Sequence, residues 1–185
     1  MTTRPNVPLT FHHEPKVWIG CLQCYNEGRL VGDWYPANEA GEITTSNLHG
    51  RPIRPETHEE LWCLDVEGFP EAREMDPMTA QMWGDLYDEV GDAQWPAFCA
   101  WVRSGSHVED GDGMPSASDF EERYAGSWND FEEYAWNYVV SSGMQHEWTE
   151  TARDYFDLKR YARDLQTGFT VEDDPDGGVF IFRDT

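Results

Sequence analysis

Residues 129–139 read NDFEEYAWNYV, and this stretch decides what kind of fold the chain can form. Its apolar side chains recur at i, i+3, i+4, i+7 and i+8, at Phe131, Tyr134, Ala135, Tyr138 and Val139. That period is typical of a helix with one buried face. Asn129 is its expected cap, and the carboxylates that follow face solvent near the helix N-terminus, where negative charge is favourable. The stretch predicts an acidic helix pinned to a core by aromatic side chains.

Helical periodicity recurs on the N-terminal side of this stretch. Asp76 is the expected N-cap of a helix that begins at Pro77. Its apolar side chains recur every four residues, at Met78, Met82, Leu86 and Val90, with Trp83 and Tyr87 beside them. A second helix is predicted over residues 94–103, with these side chains inward: Trp95, Phe98 and Val102.

Two more helices are predicted around the first stretch. They follow residues 104–117, a linker-like segment with three glycines and one proline. Ser118 and Glu121 fit a capping box, and the helix that they begin should end near Gly126. The last helix should end before Gly168 and bury Tyr155, Leu158, Ala162 and Leu165.

Strand signals lie near the N-terminus. Residues 17–22 and 61–66 are short, apolar and rich in aromatic or β-branched residues, and residues 31–35 are a weaker third candidate. A turn is expected at residues 26–28 and a long loop over residues 36–55.

A second strand signal lies near the C-terminus. Residues 169–171 and 179–182 flank Asp176-Gly177-Gly178, which is a hairpin signal. Small sheets at both ends with helices between them predict an α+β fold.

Charge is concentrated in one block of the chain. Residues 56–150 carry 23 Asp and Glu against three Arg and no Lys, which is −20 of the formal net charge of −23. Disorder is disfavoured because the chain has 26 Trp, Tyr and Phe, most of them inside this block. Salt adaptation should acidify a whole chain, whereas residues 1–55 hold five acidic and five basic residues. The block repels nucleic acid and predicts either a solubility surface or a surface for a basic partner.

The size of the block suits a comparison with DNA. Duplex DNA carries one negative charge per ~1.7 Å of its axis, so twenty charges correspond to roughly 34 Å, about one helical turn. A folded surface with carboxylates at that density fits a basic DNA-binding groove. We therefore favour DNA mimicry over a solubility surface.

Several motifs with chemical meaning are incomplete. Cys21 and Cys24 form a C-x-x-C pair at the end of a strand and before a turn, but no second pair or suitably spaced His completes a four-ligand zinc site. The absence of a following helix also disfavours a redox pair. Residues 110–121 begin like an EF-hand loop but have Met at position 5 and Pro where Gly is needed. His146-Glu147 lacks the second His of H-E-x-x-H.

Catalytic and targeting motifs are also missing from the sequence. It contains no P-loop, G-x-S-x-G or G-x-G-x-x-G, and neighbours such as Glu121 and Glu122 face different ways on a helix. We expect no enzyme activity, no metal and no cofactor. Without a signal peptide or a run of 18 apolar residues, we expect a cytoplasmic protein that contacts no membrane.

Several stretches resemble the antirestriction protein ArdA family, whose members mimic DNA and inhibit Type I restriction-modification enzymes. The similar residues are 17–22, 25–28, 32–34, 59–62, 65–69, 120, 124–126, 130–135 and 155–165. The last of these resembles the segment called the antirestriction motif. The order and spacing of the pieces, over most of residues 17–182, carry the resemblance.

The resemblance implies an elongated chain of three small domains, which dimerises into a curved acidic rod and occupies the DNA groove in the methyltransferase core of a Type I enzyme. No cofactor is implied. The first expected domain, residues 1–66, is a small antiparallel sheet with a flexible extension at 1–16. The second, residues 67–117, is a central acidic helical domain with a linker at 104–117. The third, residues 118–185, consists of helices and a short antiparallel sheet. The sequence departs from the family in its extension and in longer loops near 36–58 and 104–117.

Two sets of site residues follow from this resemblance. Twelve carboxylates are expected to replace phosphates: Glu67, Glu71, Glu74, Asp85, Asp88, Glu89, Asp119, Glu121, Glu122, Asp130, Glu132 and Glu133. A second set within 155–165 is expected to act through folding and a homodimer contact: Tyr155, Asp157, Tyr161 and Asp164.

Two other classes of function stay open. A general acidic interaction module or adaptor would bind basic proteins without DNA mimicry. A metal-dependent hydrolase would use clustered carboxylates with Mg²⁺ or Mn²⁺.

Overall fold

A computed structural model describes residues 14–54 and 57–184 of the chain. The chain divides into a first unit, Met1–Trp95, and a second unit, Pro96–Thr185, and each contains a three-stranded sheet. Helices accompany both sheets, which confirms the α+β fold class. The expected arrangement of three domains is not confirmed, and most of the predicted extension 1–16 lies outside the described residues.

The sheet of the first unit consists of β1 (Lys16–Cys21), β2 (Gly32–Pro36) and β3 (Leu61–Glu67). The strand order is β2-β1-β3, and β1 pairs antiparallel with both neighbours. All three strands were predicted from their apolar composition. On central strand β1, Val17, Ile19 and Cys21 are fully buried, as the two-residue period of a strand requires.

The segments between these strands are more helical than expected. A one-turn helix α1 (Leu22–Asn26) follows β1, where only a turn was predicted. The predicted loop 36–55 contains a 3₁₀ segment (Ala37–Glu42) and helix α2 (Thr45–His49). A capping box formed by Thr44 and Asn47 begins α2, with Asn in place of the usual Glu or Gln at the second position. The end of that loop, residues 55–56, lies outside the described residues.

Helix α3 (Pro77–Val90) completes the first unit. Its predicted start is confirmed, because the Asp76 side chain accepts from the backbone N–H groups of Met78 and Thr79 at 2.9 and 3.0 Å. The buried face differs from the predicted stripe: Ala80, Trp83 and Gly84 are buried, whereas Met78 is 61% exposed. Small residues define this face because the backbone of the 3₁₀ segment packs directly on it.

The second unit contains the following elements in chain order: α4 (Trp95–Ser104), α5 (Ala117–Arg123), β4 (Tyr124–Trp128), α6 (Phe131–Ser141), a 3₁₀ segment (Met144–Glu147), α7 (Glu150–Asp154), α8 (Leu158–Leu165), a 3₁₀ segment (Gln166–Gly168), β5 (Phe169–Asp173) and β6 (Val179–Arg183). The division between the units falls in the first turn of α4. The strand order is β4-β6-β5 with antiparallel pairing, and the predicted hairpin is its β5-β6 pair.

Strand β4 was missed because its residues were assigned to the tail of a helix. Helix α5 ends at Arg123, and the ring of Tyr124 stacks on Phe120 with centroids 5.1 Å apart. Tyr124 also pairs with Phe182 of β6, so a tertiary partner that is distant in sequence selects the strand. The N-cap of α5 is Ser116, not Ser118.

Helices α6 and α8 of the second unit pack with its sheet around one cluster of side chains. Its buried members are Phe131, Tyr134, Ala135, Ala162 and Ile181. The stripe predicted on α6 is therefore confirmed, except that Tyr138 is 41% exposed. Asp130, and not Asn129, is the N-cap of α6.

The predicted last helix is two helices, α7 and α8. Tyr155 lies between them and is 84% exposed, so its predicted burial is wrong. Ala162 is buried, and Leu158 and Leu165 pack against the cluster. Within the described ranges, no helix combines the length and apolar character that crossing a membrane requires.

Candidate partner-binding surface

The twelve predicted phosphate-mimicking carboxylates divide equally between the two units. Six lie before Trp95 and six after it. Eleven of them are exposed, the exception being Asp119. Within the part of the chain that the structure describes, these eleven form no ion pair, so their charges are available to an external partner.

Three carboxylates of the first unit lie on one side of α3. Asp85, Asp88 and Glu89 are related as i, i+3 and i+4, and all three are exposed. Three charges therefore span about 6 Å of helix axis, so successive charges lie on average about 3 Å apart along it, close to the ~3.4 Å between phosphates along one strand of duplex DNA. Asn38 Nδ2 donates to Asp88 Oδ2 at 2.9 Å, which holds that carboxylate in place.

The other three predicted carboxylates of the first unit lie at the end of β3 and in the segment that follows it. Glu67 ends β3, and Glu71 and Glu74 follow in the segment that leads to the cap of α3. All three are exposed. They extend the acidic surface of this unit beyond the helix.

Carboxylates at the start of α6 combine charge with capping. Asp130 Oδ1 accepts from the Glu133 backbone N–H at 2.8 Å. Glu133 Oε2 accepts from the backbone N–H and the side-chain amide of Asn129, at 3.0 and 2.8 Å. With exposed Glu132 between them, these side chains present an acidic group whose orientation is largely set before any partner binds.

Asp119 differs from the rest of the set. Arg123 Nε donates to Asp119 Oδ1 at 3.0 Å, one helical turn away on α5, and the carboxylate is partly buried. This ion pair offsets its charge, so Asp119 is the least suited of the twelve predicted residues to replace a phosphate. Glu121 and Glu122 on the same helix are exposed.

The four predicted residues of segment 155–165 have different structural roles. Asp157 caps α8 by accepting from the Arg160 backbone N–H at 3.0 Å. The half-buried ring of Tyr161 lies 5.5 Å from Phe156 and packs on the cluster of the second unit, and burial raises its pKa. Asp164 is exposed, with Arg163 Nε 3.9 Å away. Tyr155 is the aromatic member that projects into solvent.

A group that the sequence analysis did not assemble lies in the first unit. Cys21, Cys24, His49 and His58 place four potential ligand atoms within 4.8 Å of one another. Burial, and next the hydrogen bond with Cys21, raise the pKa of the Cys24 thiol; burial, and next the charge of His58, lower the pKa of His49. The two histidines were missed because they lie 25 and 34 residues beyond Cys24, outside the spacings of familiar zinc motifs.

Comparison with known proteins gives one clear match. The family model described as antirestriction protein (ArdA) matches residues 17–178. The match includes all of the first sheet except Lys16, strands β4 and β5 of the second sheet, and all sixteen predicted site residues. Among curated proteins, no match is found.

Proposed function

This chain belongs to the ArdA antirestriction protein family, and from that premise we propose that it occupies the DNA groove of a Type I restriction-modification enzyme in place of DNA. Its exposed carboxylates take the positions of phosphates. The enzyme then cannot hold incoming DNA, which stays uncut. The protein acts by binding, without catalysis or a cofactor.

The observation that carries this proposal is the density of exposed, unpaired carboxylates on ordered helices. On α3 they follow one another at about 3 Å along the axis on average, close to the ~3.4 Å between phosphates along one strand of a duplex. Neither unit neutralises the other, because the first holds 17 acidic and six basic residues and the second 19 and seven. A basic groove that accommodates either unit meets an excess of negative charge.

The helices that carry these carboxylates are rigid, which supports mimicry of DNA over a flexible acidic surface. The α6 carboxylates are fixed by capping hydrogen bonds, and the helix beneath them is held by Phe131, Tyr134 and Ala135. Ordering a flexible acidic tail in a groove would cost conformational entropy for every side chain. A preformed array avoids most of that cost, so more of the electrostatic attraction appears as affinity.

A homodimer is the second part of the proposal. Tyr155 is a large aromatic side chain with 84% of its surface exposed, and it lies between α7 and α8. Aromatic anchors of this kind dominate the energetics of many interfaces. We assign Tyr155 to the contact between two copies, whereas Asp157 and Tyr161 stabilise the fold behind it.

The alternative function is that of a general acidic module for basic proteins. A competition assay separates the two. Labelled duplex is bound to the methyltransferase core of a Type I enzyme and, in a parallel reaction, to an unrelated DNA-binding protein of similar basic charge. Increasing amounts of the chain are then added to both.

DNA mimicry predicts displacement from the methyltransferase core at concentrations that leave the unrelated complex mostly intact. Equal displacement from both proteins would favour the general module. If neither complex released its DNA, the proposed occupation of the groove would be wrong.

A further inference from the structure

Four side chains with zinc-binding chemistry converge at the end of the first sheet. Cys21 Sγ lies 3.1 Å from His58 Nδ1, and Cys24 Sγ lies 3.7 Å from the same nitrogen and 3.9 Å from His49 Nε2. All four ligand atoms lie within 4.8 Å of one another. We propose that Cys21, Cys24, His49 and His58 bind one zinc ion, and that this ion is structural.

The distances suit a tetrahedral ion. Bonds of about 2.3 Å to sulfur and 2.0–2.1 Å to nitrogen place neighbouring ligand atoms about 3.3–3.8 Å apart. The contacts at 3.7 and 3.9 Å are close to this range, and the one at 3.1 Å is slightly shorter. Shifts of about 1 Å or less in the side chains bring the set to the geometry that zinc prefers.

The donor set selects zinc over other common ions. Two thiolates and two imidazoles are soft and borderline ligands, whereas Mg²⁺ and Ca²⁺ require oxygen. Four protein ligands leave no open position for water or substrate, so the site is structural and not catalytic. Both cysteines are fully buried and both histidines half-buried, which shields the ion from solvent.

The fold explains how distant residues meet here. Cys21 ends β1 and caps α1, and Cys24 lies in α1. Antiparallel pairing of β1 with β3 puts Leu61 opposite Cys21, so His58, three residues earlier, lies beside the cysteines. His49 ends α2, and Gly50, in the left-handed conformation, turns the chain there. The ring of His49 lies 4.8 Å from the ring of His58.

The ion would tie a weakly anchored segment to the sheet. Residues 41–54 bury none of their side chains fully, although they include helix α2. A helix of five residues is too short to be stable alone, so it needs a tertiary anchor. Zinc ligation through His49 and His58 supplies one, and it joins the segment to the end of β1.

Binding conserves charge at the site. Two neutral thiols lose their protons as two Zn–S bonds form, and two neutral imidazoles donate lone pairs, so one Zn²⁺ enters and two H⁺ leave. The acidic surface is therefore unchanged in net charge. This inference does not depend on how the chain meets its target.

The test uses the full chain under reducing conditions. Protein stripped with a chelator is titrated with Zn²⁺ and, separately, with Co²⁺, whose visible absorption reports tetrahedral coordination and whose near-ultraviolet absorption reports thiolate bonds. One equivalent of either metal should bind, with both Co²⁺ signatures, and melting should shift to higher temperature. Folded wild-type protein that takes up no metal, or that binds it without thiolate absorption, would overturn the proposal.

Variants locate the ion. Cys24→Ser and His58→Asn should each lower zinc affinity by more than about 100-fold, since losing a ligand exceeds the effect of losing an outer hydrogen bond. Cys99→Ala removes a buried thiol of the second unit and should keep one equivalent. Circular dichroism establishes that each variant is folded. Unchanged affinity in both ligand variants would place the metal elsewhere and contradict the site.

Discussion

Gly84 of α3 packs directly against the backbone of Asn38, so closely that a Cβ atom would lie 2.1 Å from the Asn38 amide nitrogen. Gly84→Ala should lower the free energy of unfolding by about 1–3 kcal/mol, because backbone cannot withdraw as a side chain can. That loss is the net change, after the ~1 kcal/mol by which alanine is favoured over glycine within a helix. Urea unfolding measures the change. Gly168→Ala is the control, because nothing lies within 4 Å of its Cβ position; equal stability of both variants would contradict the contact.

Asp76 should make the first unit sensitive to acid. Its hydrogen bonds with Thr79, and then with the Met78 backbone, hold its pKa below the ordinary value. Because the folded-state pKa is the lower one, the cap stabilises fully above the unfolded value of ~3.9 and is lost as pH falls through the folded-state pKa. Asp76→Ala should cost about 1 kcal/mol at pH 7, and the difference from wild type should narrow below about pH 3.

Asp76→Asn is the matched control for this prediction. Its amide oxygen can still accept at the cap but does not titrate. Stability measured by urea unfolding should therefore fall less steeply in acid than for wild type. A constant difference between wild type and Asp76→Ala across the acid range would contradict the role of the ionised cap.

Inhibition should be lost only when many carboxylates are replaced together, and no single replacement should abolish it. A single exposed pair contributes about 0.5 kcal/mol, so one amide substitution should weaken binding about twofold. Six should together cost about 3 kcal/mol, or roughly 100-fold. The test set carries Asn or Gln at Asp85, Asp88, Glu89, Glu121, Glu122 and Glu132. Inhibition of DNA cleavage by a Type I enzyme is the measurement.

A second sixfold variant separates position from net charge. It carries the same amide changes at exposed acidic residues outside the proposed set: Glu39, Glu42, Glu109, Asp112, Asp173 and Asp176. This variant should inhibit nearly as well as wild type. If both variants lost inhibition equally, net charge alone would account for binding, and if one single substitution abolished it, the distributed surface would be wrong.

Tyr155 and Tyr161 should separate assembly from folding. Tyr155→Ser removes an exposed ring, so stability should stay unchanged while self-association weakens by about tenfold or more, as loss of an interface anchor does. Tyr161→Ala removes a half-buried ring from the cluster and should cost about 1–3 kcal/mol in stability. Sedimentation and thermal melting measure the two effects. Unchanged sedimentation of Tyr155→Ser would exclude this ring from the contact.

Local signals predicted much of the fold. Strands β1, β3, β5 and β6 and the start of α3 follow from composition, turn residues and the Asp76 cap, all of which act within a few residues. Structure that depends on contacts with residues distant in sequence could not be predicted from these local signals. Residues 124–128 form a strand because β6 pairs with them, and Gly84 faces inward because the backbone at Asn38 lies above it.

The same contrast holds for the two candidate sites. Acidic positions on α3 and α6 could be predicted, since charge on the outer face of an amphipathic helix is visible in the sequence. Cys21 and Cys24 are recognisable in the sequence as a C-x-x-C pair, but His49 and His58 reach them only through β1-β3 pairing and the turn at Gly50. The residue spacings of familiar zinc motifs do not describe ligands that are brought together by strand pairing in this way.

Strict competition with DNA is the most direct test of the central claim. The apparent Kd of the chain for the methyltransferase core is measured at increasing concentrations of duplex containing the enzyme's recognition site. Occupation of one shared groove predicts that the apparent Kd rises in proportion to DNA concentration, without a ternary complex. An apparent Kd that stays constant at saturating DNA, with chain and duplex bound together, would contradict the account.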